Sequence, residues 1–74
     1  MASNEVSLSF KIKPKEIEML RLVAQGYENK EIAEQLYLAT DSIKKSLYRL
    51  YQKLNVNNRI SAVSKAVEMG LIKR

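Results

Sequence analysis

The chain of 74 residues contains no cysteine and no histidine. These absences exclude a disulfide bond, a thiol or imidazole metal site, and the Cys–His and Ser–His catalytic pairs. The two glycines, Gly26 and Gly70, lie too far apart to build a glycine-rich phosphate loop. The neighbouring carboxylates Glu28 and Glu31 stand where a helix should begin, so capping explains them. We therefore expect no enzyme, no metal site and no cofactor.

Long apolar runs are also missing. No run approaches the ~18 residues needed to span a bilayer, and the N-terminus lacks the basic-then-apolar pattern of a signal peptide. We therefore expect a cytoplasmic protein with no membrane partner. A domain this short buries only about 60% of its unfolded surface, so its stability should be marginal or shared with a partner.

Positive charge is what the chain has in excess. Thirteen Lys and Arg residues oppose eight Asp and Glu residues, and the formal net charge at pH 7 is +5. This balance favours a polyanionic partner, above all nucleic acid, although many small basic domains bind no acidic partner.

The spacing of apolar residues predicts an all-α fold of four helices. Pro14 suits the first position of a helix, because its missing N–H would be unpaired there anyway. Gly26 suits the left-handed position that follows a helix. The predicted helices are α1 from Pro14 to the stop at Gly26, α2 over about 29–36, α3 over about 41–54, and α4 over about 59–69.

Asparagine and glycine mark the ends of the last two helices. Asn55 can take the left-handed position after α3, Asn57 or Asn58 can cap the start of α4, and Gly70 closes α4. Residues 1–11 alternate apolar and polar side chains, but a single strand has no partner here. We therefore interpret residues 1–11 as a flexible arm or linker.

α2 and α3 each carry an apolar back. In α2, Ile32, Ala33 and Leu36 recur on one helical face. In α3 the apolar residues form a stripe about 60° wide at ~100° per residue, which predicts contact with the core. The members of this stripe are Ile43, Leu47, Leu50 and Leu54.

The opposite side of α3 is basic and rich in hydrogen-bonding groups. A short helix, a tight turn and a longer helix with such a front are the arrangement by which a helix-turn-helix fills the major groove of DNA. We therefore predict that residues 12–74 form a helix-turn-helix domain. The front consists of Asp41, Lys45, Tyr48 and Gln52, with Lys44 and Arg49 beside them.

α4 carries more apolar cover than a surface helix of a monomer needs. Ala62, Ala66 and Met69 lie on one side, and a second apolar set lies about 100° or more away. We expect the second set to form a dimer interface. The alternative is that α4 is wedged between α1 and residues 71–72 as part of the core. The second set is Ile60, Val63 and Val67.

Residues along the chain now match a known pattern. Its most specific part is Asn29-Lys-Glu-Ile-Ala33, followed at fixed spacing by Ile43-Lys44, Lys53-Leu54 and Arg59. Together the matching residues resemble the LuxR/GerE-type helix-turn-helix domain over about residues 12–72. The other matching residues are Pro14-Lys-Glu16, Met19-Leu20, Gly26, Leu36, Val56, Ala62-Val63 and Gly70-Leu-Ile72.

The resemblance implies a four-helix DNA-binding domain of bacterial transcription regulators, usually the C-terminal effector of a response regulator or of a ligand-sensing protein. In that family the third helix reads the major groove, and the fourth commonly mediates homodimerisation on a two-fold operator. Carried over by position, the base-edge readers are Lys44, Lys45 and Tyr48. The phosphate contacts are Asn29, Lys30, Arg49 and Lys53.

The chain departs from the family before its first three helices. The family usually places Thr or Ser there, whereas this chain has Lys13, Glu28 and Ala39. Each lost cap costs on the order of 1 kcal/mol unless a neighbour takes over, as Asn29 could for α2 and Thr40 for α3.

Several side chains keep alternative interpretations. Lys44 and Lys45 can donate to guanine, neutralise phosphate, or form an ordinary solvated basic face. Tyr48 can contact DNA or shield the edge of the core. Asp41 can favour the dipole of α3 by about 0.3–1 kcal/mol, or read cytosine. The residues expected to pack at helix junctions or in the turn are Tyr27, Tyr37, Leu38 and Tyr51.

The leading hypothesis is a dimeric, sequence-specific binder of double-stranded DNA that regulates transcription and recognises inverted half-sites about 10 base pairs apart, or a near multiple. The alternative is a protein-interaction module that binds or titrates another regulator through α4. Ser46 favours it, since the family usually has histidine there; Ser46 with Asn55 is similar to the branch that includes the competence regulator ComA. A third hypothesis, an RNA-binding or RNA-polymerase-contacting module, rests on charge alone and lacks the aromatic platform of RNA modules.

Overall fold

The computed structural model describes residues 12–73, and within that range all regular structure is helical. The all-α prediction is therefore confirmed, and every helix end lies within one or two residues of its predicted position, which is the ordinary uncertainty of helix ends. The predicted arm, residues 1–11, lies outside the described residues, as does Arg74. The helices are α1 (Pro14–Ala24), α2 (Asn29–Leu36), α3 (Thr40–Lys53) and α4 (Arg59–Glu68).

Glutamates in the first turn replace the caps that α1 and α2 lack. The Oε1 atom of Glu16 accepts the backbone N–H of Lys13 at 2.9 Å, and the Oε1 atom of Glu31 accepts the backbone N–H of Glu28 at 2.9 Å. Each bond satisfies a backbone donor that the start of a helix leaves unpaired. Asn29 therefore does not take over the cap of α2.

α3 and α4 begin in different ways. Ala39 precedes α3 and offers no side-chain cap, while Thr40 is already the first helical residue. Thr40 therefore does not take over this cap, and α3 starts one residue earlier than predicted. At α4, the Oδ1 atom of Asn58 accepts the backbone N–H of Ser61 at 2.8 Å, which confirms the predicted asparagine cap.

Two non-glycine residues have a left-handed backbone. Asn55, after α3, has a φ of 58°, as predicted for the end of that helix. Tyr37, after α2, has the same φ of 58°, which the sequence did not predict. Asparagine tolerates this conformation, whereas a bulky side chain pays a steric penalty in it. The turn between α2 and α3 is therefore strained at Tyr37.

The core lies between the backs of all four helices. The predicted stripe of α3 is fully buried, as are Ile32 and Ala33 of α2. In α1, Met19 and Leu22 are buried, while Ala24 is exposed. No polar or charged residue among 12–73 is buried. The buried set is Ile12, Met19, Leu20, Leu22, Val23, Ile32, Ala33, Ile43, Leu47, Leu50, Leu54, Ala62, Ala66 and Ile72.

α3 is held from two sides by this core. α2 and α1 both pack against it, and α4 packs against α1. Because Leu47, Leu50 and Leu54 are buried along its back, the orientation of α3 about its own axis is fixed. The polar residues between them must therefore face outward.

Candidate nucleic-acid interface

The front of α3 is exposed along the whole helix. Every residue assigned to it from the sequence lies in solvent: Asp41, Lys44, Lys45, Tyr48, Arg49 and Gln52. The front carries three cations and one carboxylate, so it is basic, and its amide and phenol groups can donate and accept hydrogen bonds. Its chemistry suits the phosphates and base edges of a nucleic acid.

Tyr48 projects from the middle of this front. Its side chain is 66% exposed. The alternative that Tyr48 shields the edge of the core is therefore wrong. The ring stands beside Lys44, near the buried Leu47 and the half-buried Tyr51.

One side of the front meets the start of α2. A shared groove there is lined by Asn29, Lys30, Thr40, Lys44 and Arg59, together with Gly26 and the carboxylates of Glu28 and Glu31. Two of the predicted phosphate contacts, Asn29 and Lys30, are thereby brought next to the predicted base reader Lys44. We call Asn29, Lys30 and Lys44 the α2 flank.

Arg59 ties the start of α4 to the α2 flank. Its Nη1 atom donates to the backbone carbonyl of Tyr27 at 2.9 Å, and its Nη2 atom donates to Oδ1 of Asn29 at 3.4 Å. The sequence singled out Arg59 only as part of the family pattern and gave it no role. A further signal was available, since an arginine in the first turn of a helix opposes the helix dipole and so needs a reason from elsewhere in the fold.

Tyr51 stands beside Arg59, under the α2 flank. Burial raises the pKa of the Tyr51 phenol above its ordinary value of 10.0, and the opposing charge and hydrogen bond of Arg59 do not cancel this effect. Tyr27 and Tyr51 both pack against the core, which confirms their predicted place at helix junctions, and Leu38 packs against it from the turn. For Tyr37 the same prediction is wrong, because its side chain is 94% exposed.

The other side of the front meets the start of α1. The ammonium group of Lys53 lies 3.0 Å from Oε1 and 2.9 Å from Oε2 of Glu16. The side chains of these two residues are 31% and 13% exposed, so the pair is partly screened from water. Lys53, which the resemblance assigned to phosphate, therefore also joins the end of α3 to the start of α1.

The apolar face of α4 is only partly in solvent. Ile60 is 78% exposed, whereas Val63 and Val67 are half-buried against the core. The alternative that this face of α4 belongs to the core thus holds in part for Val63 and Val67. Ile60 alone among these three residues does not pack against the core.

A short helix, a tight turn and a longer helix with a buried back and an exposed basic front define a helix-turn-helix protein. The chain matches the family model described as "Bacterial regulatory proteins, luxR family" over residues 11–66. The chain belongs to this family. Its similarity to the ComA branch stays a prediction.

Curated relatives of this chain are regulators of transcription. The HTH-type transcriptional regulator AlkS of Alcanivorax borkumensis is 43% identical over 58 residues, which are 78% of this chain and 7% of AlkS. The transcriptional regulatory protein DegU of Brevibacillus brevis is 37% identical over 59 residues, which are 80% of this chain and 25% of DegU. The oxygen regulatory protein NreC of Staphylococcus carnosus is 35% identical over 71 residues, which are 95% of this chain and 33% of NreC.

The chain therefore spans 33% or less of the length of these relatives. No solved structure matches it significantly. Family and relatives together indicate a transcriptional regulator with a helix-turn-helix DNA-binding domain. Each helix within residues 12–73 is too short or too polar to cross a membrane. The same range holds no group of three or more acidic side chains placed to bind a metal ion.

Proposed function

We propose that the chain is a sequence-specific regulator that inserts α3 into the major groove of double-stranded DNA. The observation that carries the proposal is the contrast between the two sides of α3. Its back is buried to the last leucine, while its front is exposed, basic and free of apolar side chains other than the ring of Tyr48. A helix about 10–12 Å across fits a groove about 12 Å wide, so such a front meets the base edges directly.

Within this complex the roles follow from position along the front. We propose that Lys44, Lys45 and Tyr48 contact base edges, and that Asn29 and Lys30, at the start of α2, contact a phosphate. Arg49 and Lys53 serve phosphates on the far side, with Lys53 shared with Glu16. Asp41 stands in the first turn of α3, where a carboxylate favours the helix dipole; this supports the dipole role over cytosine reading. The proposed DNA-binding surface consists of Asn29, Lys30, Asp41, Lys44, Lys45, Tyr48, Arg49 and Lys53, in which Asp41 supports the start of α3 instead of reading a base.

We further propose that two copies pair through α4 and bind an inverted repeat. The exposed Ile60, continued by Val63 and Val67, supplies an apolar patch that a second copy can cover. A two-fold dimer places its reading helices in successive major grooves, so the half-sites lie about 10 base pairs apart, or a near multiple. We also propose that the chain acts in the bacterial cytoplasm as a DNA-binding module of the kind found in response regulators.

The test is selection of bound duplexes from a random pool, followed by salt titration on the best duplex and on a scrambled one. We expect an enriched inverted repeat whose advantage over the scrambled duplex survives at physiological salt. Lys45→Ala should weaken binding to the selected duplex by about 1–3 kcal/mol and leave the scrambled duplex nearly unaffected. Binding that is equal on all sequences and falls steeply with salt would refute the proposal.

The exposed Ile60 also supports a second candidate function. A face of this kind can bind or titrate another regulator, or contact RNA polymerase, without any role for α3. In that case α4 variants would abolish the interaction while the random-pool selection would return no sequence.

A further inference from the structure

α3 presents cations on two opposite flanks. Lys44 and Arg49 are five positions apart, so at ~100° per residue they point about 140° away from each other, with Lys45 and Tyr48 between them. Lys44 belongs to the α2 flank described above. Arg49 faces the other way, toward the start of α1.

The groove on that side is lined by two lysines that the proposed function leaves unused. Lys13 precedes α1 and Lys15 lies in its first turn, and both are exposed beside Arg49. We call Lys13, Lys15 and Arg49 the α1 flank. The remaining residues that line the groove are Glu16, Met19, Ser46 and Lys53.

The α1 flank is strongly positive. Glu16 is the one acidic residue among those that line the groove, and its carboxylate is held by Lys53 at 2.9 Å. Within residues 12–73, Lys13, Lys15 and Arg49 form no ion pair. Three exposed positive charges therefore stand together without an acidic side chain to balance them.

The geometry of DNA supplies the anion. A helix 10–12 Å across that enters a groove about 12 Å wide lies close to both of the phosphate backbones that border the groove. If Asn29 and Lys30 of the α2 flank face one backbone, the opposite side of α3 faces the other. That opposite side is the α1 flank.

We propose that Lys13 and Lys15 bind the phosphate backbone across the groove from Asn29 and Lys30, so that α1 and α2 clamp α3 between the two strands. The proposal rests on the proposed function, because it requires α3 to lie in the major groove. It adds α1 to the DNA-binding surface. In this arrangement the ion pair between Glu16 and Lys53 holds the start of α1 in place against α3.

The test compares two double variants with the same change in net charge. Lys13→Ala/Lys15→Ala removes the α1 flank lysines, and Lys65→Ala/Lys73→Ala removes two lysines elsewhere. Neither Lys13 nor Lys15 is needed for folding, because both side chains are exposed. Lys15 also lies in the first turn of α1, at the N-terminal end where the helix dipole disfavours a cation. Thermal melting of each variant verifies this.

For Lys13→Ala/Lys15→Ala we expect affinity to fall by the same factor on the selected and the scrambled duplex. The slope of log K against log salt should become shallower by about 0.9 for each phosphate contact removed. The Lys65→Ala/Lys73→Ala control should keep the wild-type slope.

Equal effects of the two double variants would overturn the proposal, since net charge alone would then explain the loss. A loss confined to the selected duplex would also overturn it, because the lysines would then be reading bases. Failure of the proposed function is a separate result: the wild-type chain would show no sequence preference, and the comparison of slopes on the scrambled duplex would still decide whether the α1 flank binds phosphate.

Discussion

At the scale of single residues, Tyr37 is where side chain and backbone disagree. It combines a left-handed backbone with a ring that is 94% exposed, so no packing offsets its strain. Tyr37→Asn should stabilise the fold by about 1 kcal/mol, because asparagine tolerates this conformation. For a domain of this size that corresponds to a rise in Tm of about 4–8 °C.

The matched control is Tyr48→Asn, which removes another exposed tyrosine but from within a helix. Asparagine is a poor helix former, so this variant should not gain stability. A Tyr37→Asn protein that melts no higher than the wild type would show that the backbone after α2 is not left-handed in solution.

Tyr51 makes stability depend on pH in the alkaline range. Burial raises the pKa of its phenol above 10.0, so above that pH the unfolded chain loses this proton before the folded chain does. The folded state then holds more protons, and stability falls as pH rises from 10 through the raised pKa. In Tyr51→Phe this part of the fall should vanish, as measured by urea unfolding at several pH values. The difference in phenolate absorbance between the wild type and Tyr51→Phe reports the titration of this one phenol. The midpoint of that titration should lie above pH 10, and a midpoint below 10 would contradict the effect of burial.

At the scale of helices, Arg59 fastens α4 to the beginning of α2. Arg59→Met leaves the carbonyl of Tyr27 and the side chain of Asn29 without their donor. Because a hydrogen bond from a charged group contributes about 1.5–3 kcal/mol, we expect the free energy of unfolding to fall by about this amount. Arg59→Lys should recover little, because one ammonium cannot reproduce the two-armed guanidinium. Arg21→Met is the control: it breaks an exposed pair with Glu18 and should cost at most about 1 kcal/mol. Urea denaturation that ranks Arg21→Met as the more costly change would refute the role of Arg59.

The helices themselves were predictable from the sequence, and the ties between them were not. Apolar periodicity fixes which side of α3 is buried, and hence which side is exposed, using only residues within one helix. The bonds of Arg59 to Tyr27 and of Lys53 to Glu16 join residues 32 and 37 positions apart. No local pattern encodes such distances. The left-handed backbone of Tyr37 was not predicted for a different reason, because bulky side chains rarely adopt this conformation.

The pairing of two copies is also a property of one helix. Ile60→Glu places a charge on the exposed part of the α4 patch, where the fold of the monomer does not depend on it. We expect the sedimentation mass on the operator to fall to that of one chain and affinity to drop. Ser61→Glu adds the same charge about 100° away around the same helix, outside this patch, and should change neither quantity. A dimer that survives Ile60→Glu would exclude this face of α4 as the interface.

At the scale of the whole molecule, small size and positive charge together predict that DNA stabilises the fold. A chain of 74 residues has little stability of its own, so a ligand that binds only the folded state makes a large relative contribution. At a hundredfold excess over Kd that contribution is about 2.7 kcal/mol. At about 4–8 °C per kcal/mol, the selected duplex should raise Tm by roughly 10–20 °C. A scrambled duplex at the same concentration should raise it much less, and the difference should shrink in Lys45→Ala. Equal shifts with both duplexes would mean that the charge of the domain, and not the front of α3, decides what it binds.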